Sequence, residues 1–192
     1  IKEKTNSIQR TARIAGLLYL LFIPLGVFGI LYVPSTLIVQ GDVVATVSNI
    51  MANETLFRLS IVSALLTQLV NIFVVLFLYK ILKPVSKSIA RLMVIFLLLA
   101  VPIAMLNELN SVAVLLLLDN TQQSLAQVSL FLNLHEYGIQ IAGIFWGLWL
   151  FPMGYLVFKS NYIPKIIGVL LMIGCLGYLA DSLYSFSTQT LV

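Results

Sequence analysis

Residues 130–158, LFLNLHEYGIQIAGIFWGLWLFPMGYLVF, form an apolar stretch long enough to cross a bilayer, yet they include the chain's one histidine, His135, beside Glu136. About 20 apolar residues suffice to span the hydrocarbon core. Ionisable groups at that depth are costly and persist only where they have a structural or functional reason. The chain must therefore place this stretch in a membrane and also shelter a polar pair about two turns inside its first end.

Composition points the same way. Of 192 residues, 9% are charged and 60% hydrophobic, against about 25% and 45–50% in soluble domains. So short a chain cannot hide that much apolar surface in a water-facing fold, so the surplus faces lipid. Four further apolar runs appear, giving expected spans at 14–33, 56–82, 92–118, 130–158 and 166–184. The expected fold class is all-α: a polytopic transmembrane helical bundle in one domain. The single cysteine, Cys175, lies within an apolar run and reads as a packing residue.

The first span follows a basic, polar leader and is too long for a signal-peptide core. Pro24 is expected to kink it and Pro34 to end it, with Gly26 and Gly29 allowing close helix contact. The middle of the next connection, VVATVSNIM, suggests a short interfacial helix. In the second span Ser60, Ser63, Thr67 and Asn71 share one face, with Gln68 beside them. Helix-to-helix hydrogen bonding is the favoured reading of that stripe. The third span, at 27 residues, outruns the bilayer core, so it must tilt, bend at Pro102 or protrude; it holds Asn107, Glu108, Asn110 and Ser111. The fourth is also over-long, with an expected kink at Pro152. Trp146 and Trp149 read as packing bulk, and Asp181 and Ser182 sit near the end of the fifth span.

The formal charge of +4 does not form a nucleic-acid patch. Ten of eleven basic residues (Lys2, Lys4, Arg10, Arg13, Lys80, Lys83, Lys87, Arg91, Lys159 and Lys165) fall on one side if the five spans alternate, and Arg58 alone on the other. The positive-inside rule puts the amino terminus and both basic turns in the cytoplasm.

ARIAGLLYL at residues 12–20 and GLWLFPMGYLVFKSNYIPKIIGVLLMIGCLGYLADS at 147–182 resemble a bacterial membrane-protein family known only as domain of unknown function forty-three eighty-six. The sharpest part is K-S-x-x-I-P at 159–164 paired with G-Y-L-x-D-S at 177–182. The resemblance implies an all-helical inner-membrane protein, with six spans in the full-length form. It implies no chemistry.

Alternation places Arg58, Glu108, His135, Glu136 and Asp181 in the outer half of the membrane. Convergence would make an outward-facing polar pocket, with Asn107 and Gln140 as further lining, for a lipid headgroup or small molecule. The competing reading is that Arg58 and Asp181 are interfacial and solvated. Adjacent helix residues point about 100° apart, so His135 and Glu136 cannot both face one centre. Glu136 shares a face with Asn133 and Gln140 and is expected to point inward, His135 toward a neighbouring helix or water. Arg58 is the expected partner of a buried carboxylate.

Other chemistry finds less support. Carboxylates with one histidine could ligate a metal, but neither H-E-x-x-H nor the paired E-x-x-H of bundle di-iron sites occurs, so no metal site is assigned. No G-x-S-x-G, Walker loop or G-x-G-x-x-G is present. Three functions remain: binding or moving a small molecule or lipid headgroup, a membrane-embedded metal-dependent hydrolase or transferase, and a structural or immunity-type protein without a ligand. Hydropathy shows no clear internal repeat of the kind secondary transporters carry.

Overall fold

The computed structural model describes residues 2–119, 125–161 and 163–188. They form helices α1 (Lys2–Gly26), α2 (Val33–Leu37), α3 (Val43–Ala52), α4 (Glu54–Leu82), α5 (Lys87–Leu118), α6 (Leu125–Ser160) and α7 (Lys165–Thr188), with a π-helical turn, Val27–Tyr32, joining α1 to α2. Most of the turn expected at 119–127 lies outside the described residues. Five stretches are long and apolar enough to span a bilayer: Ile8–Leu37, Glu54–Leu82, Lys87–Leu118, Leu125–Ser160 and Lys165–Ser187. The expected helical bundle is what forms, and each span runs a few residues past its apolar limits.

The first span departs most from expectation. Pro24 lies inside α1, and the disturbance follows it as the π-helical turn. Pro34 does not end the helix. It falls in the first turn of α2, directly after the π-helical turn, and its ring fits the helical φ there. The run ends at Leu37, Gly41 turns the chain at a φ of 77°, and Asp42 accepts a hydrogen bond from the Ala45 N–H at 2.9 Å to cap α3. This is the short helix that VVATVSNIM foretells. Pro102 and Pro152 sit within α5 and α6, which continue through them.

The spans pack mainly with their neighbours in sequence: α1 on α4, α4 on α5, α5 on α6, and α6 on α7. The serine and threonine stripe of α4 is buried as expected, and part of it meets the first span. A Cβ on Gly29 would lie 2.9 Å from the Ala64 nitrogen and the Ser60 carbonyl oxygen. Ser63 Oγ donates to the Leu25 carbonyl at 2.9 Å. Small residues let the backbones approach this closely, which is how helices associate without a hydrophobic drive.

Two apolar clusters fill the interior. One, toward the basic turns, gathers Val75 and Leu82 of α4, Met93 and Leu97 of α5, and Trp149, Met153 and Leu156 of α6. The other, at the far end, gathers Leu37, Ile50, Phe57, Ile61, Val114, Leu115 and Val128. Between them in chain position lie Gln68, Asn107, Glu108 and Ser111, all buried. A polar layer thus separates two apolar cores.

Candidate functional site

The site begins with a rotation. On α6, His135 is half-buried and Glu136 is exposed on the bundle surface. His135 meets a neighbouring helix, one of its two expected settings, but Glu136 was expected to point inward and does not, for a visible cause. Gly138, one turn on, faces α5 so closely that a Cβ there would fall on Asn107 Oδ1. That contact turns the His135 side of α6 toward α5, and the 100° step per residue then carries Glu136 away.

Side chains of α5 and α6 are brought together as a result. His135 Nε2 lies 3.4 Å from Glu108 Oε1. Asn107 Nδ2 donates to the His135 carbonyl at 2.8 Å, and Asn110 Nδ2 donates to Asn107 Oδ1 at 2.9 Å. Glu108 retains only 8% of its exposure. It stands ten residues from the end of α5, or about 15 Å along the axis. The pair is therefore deep, and its separation is long for a charge-assisted bond, which runs about 2.7–2.9 Å.

The remaining candidates do not converge. Arg58 bonds Glu54 at 2.6 Å, four residues back on the same helix, with side chains 54% and 49% exposed. It is not the partner of a buried acid. Glu before Arg at this spacing is the favoured order on a helix surface, and such exposed pairs contribute about 0–1 kcal/mol. Asp181 is exposed. Its neighbour Ser182 is buried and donates to the Gln140 carbonyl at 3.2 Å, so Gln140 is engaged there through its main chain as part of the α6–α7 contact. The expected pocket of five ionisable residues thus contracts to Glu108 and His135 with Asn107 beside them.

Two open clefts lie elsewhere. One of about 480 Å³ is lined by Pro84, Val85, Ser86, Tyr155 and Lys159; another of about 540 Å³ surrounds the α3–α4 junction. Sequence reasoning missed Gly138, although a glycine within a helix costs about 1 kcal/mol relative to alanine and so demands a packing reason. Among the described residues no three His, Cys, Asp or Glu side chains gather to hold a metal. Glu108 and His135 alone fall short of the three protein ligands typical of catalytic zinc.

Residues 14–192 match DUF4386, described as a domain of unknown function. The chain belongs to this family. It is also similar to an uncharacterized protein of the archaeon Archaeoglobus fulgidus, 31% identical over 128 residues, which cover 67% of this chain and 68% of that protein. No solved structure matches significantly. This DUF4386 member therefore shares its sequence pattern with an archaeal relative, and the likeness carries no activity across.

Proposed function

We propose that the protein binds, and in doing so can move, a small polar molecule or lipid headgroup at the Glu108–His135 layer, reached from the outer side of the cytoplasmic membrane. One observation carries this reading: a carboxylate buried at membrane depth faces a single imidazole at a loose 3.4 Å. A carboxylate kept only for packing would be expected to close its bonds, because an incompletely paired buried charge is costly. The polar layer between two apolar cores gives such a molecule somewhere to stop. The basic residues at one end of the spans support a cytoplasmic amino terminus, which places the layer in the outer half.

Native mass spectrometry of the protein released from its own membrane tests this. Wild type and Arg58→Ala are expected to retain a bound species that Glu108→Gln loses. Identical spectra for all three would contradict the proposal and favour a purely structural role.

A further inference from the structure

We infer that the occupant of the Glu108–His135 layer is a small monovalent cation that takes the place of one proton shared by the two side chains. This rests on the binding reading above and names its ligand class.

Charge is sparse around Glu108. Besides Glu108, α5 has no ionisable residue between Arg91 and its end. Helix α4 has none between Arg58 and Tyr79, and Arg58 is held by Glu54 at the surface. Helix α6 turns His135 toward the site while Glu136 is exposed. Among the described residues Glu108 therefore faces one titratable group, His135. A carboxyl and an imidazole holding one proton between them are neutral overall, whichever carries it; with none or two they bear a net charge that burial penalises. The layer is complete with one added positive charge.

The same sparseness selects against anions. No Lys or Arg lies on α4, α5 or α6 near the depth of Glu108 to meet a phosphate. A second acceptor does lie close in depth. Val75 and Leu97 share one cluster and Phe57 and Leu115 the other. Gln68 lies between the two clusters along α4, as Glu108 does along α5. Gln68 is 3% exposed, and its Oε1 has no hydrogen-bond partner among the described residues. A buried acceptor without a donor is costly, so this layer favours a ligand that donates hydrogen bonds over one that only accepts them. The exchange balances: Glu108 and His135 holding one proton between them, with R–NH3+, give a Glu108 carboxylate paired with R–NH3+, neutral His135, and H+ released to water. No electrons move, and the charge of the layer is unchanged.

Calorimetry on the purified full chain, in buffers of different ionisation enthalpy, tests this with methylammonium, neutral acetamide and inorganic phosphate as probes. Methylammonium should bind, with release of about one proton. Glu108→Gln should abolish both effects, Glu108→Asp should keep proton release at weaker affinity, and Arg58→Ala should match wild type. Methylammonium binding without proton release, or undiminished in Glu108→Gln, overturns the inference. Glu108-dependent binding of acetamide or phosphate overturns the cation class while leaving the binding site standing. Silence from all three probes also overturns it, and the mass-spectrometric comparison then decides separately whether the binding reading falls too.

Discussion

The contacts of the first span with α4 and of α5 with α6 are built from similar parts, a glycine and buried polar side chains, and serve different ends. Where the first span meets α4, Gly29 of the π-helical turn rests on the Ala64 and Ser60 backbone, and Ser63 closes its bond on the Leu25 carbonyl. The polar groups there are hydroxyls, which need no countercharge. At α5–α6, Gly138 rests on a side chain, Asn107, and the neighbouring pair is ionisable and loosely spaced. One contact spends its polarity on holding helices together; the other keeps part of it in reserve. A membrane interior thus tolerates polar residues on two terms, and the chemistry of the side chain decides which.

The largest effect should come from His135→Ala, which strands Glu108. Leaving a buried acid without its partner costs up to about 3 kcal/mol, read as reduced stability in a detergent-denaturation series; Glu108→Gln/His135→Asn together should cost less than that single change.

Next come the two glycines. Gly29→Ala forces a Cβ against backbone, so the helices must part. About 2 kcal/mol is expected, with faster hydrogen exchange along α1. Gly138→Ala displaces the Asn107 side chain, which can swing aside, so about 1 kcal/mol is expected. Its signature is loss of the Asn107–His135 bond and altered probe binding, with α1 exchange unchanged.

How much of this was legible beforehand depended on whether one helix or two supplied the answer. The five spans and the buried face holding Ser60, Ser63 and Thr67 follow from length and period alone. The choice between His135 and Glu136 does not, because the rotation of α6 is set by what Gly138 meets on α5. The π-helical turn after Pro24 was hidden for a similar reason: a proline forecasts disturbance, and the packing against α4 decides its form. Arg58 was different. Its partner Glu54 stood four residues away in plain view, and the local pair outweighed the distant one.

Smaller effects complete the contrast. Ser63→Ala removes one interhelical bond, worth about 0.6 kcal/mol at membrane depth, and should leave binding at Glu108 untouched. Arg58→Ala should fall within about 0.5 kcal/mol of wild type in the same denaturation series. An effect on Arg58 as large as that on His135 would return it to the site.

The pairing of Glu108 with His135 is best measured by a double-mutant cycle on reversible unfolding in lipid or detergent, using Glu108→Gln, His135→Asn and the double variant. The account predicts a coupling energy of about 1 kcal/mol or more, present only between these two positions and absent when Arg58→Ala replaces either. Additive effects, within about 0.3 kcal/mol, would mean that carboxylate and imidazole do not sense each other, and the layer would lose its centre.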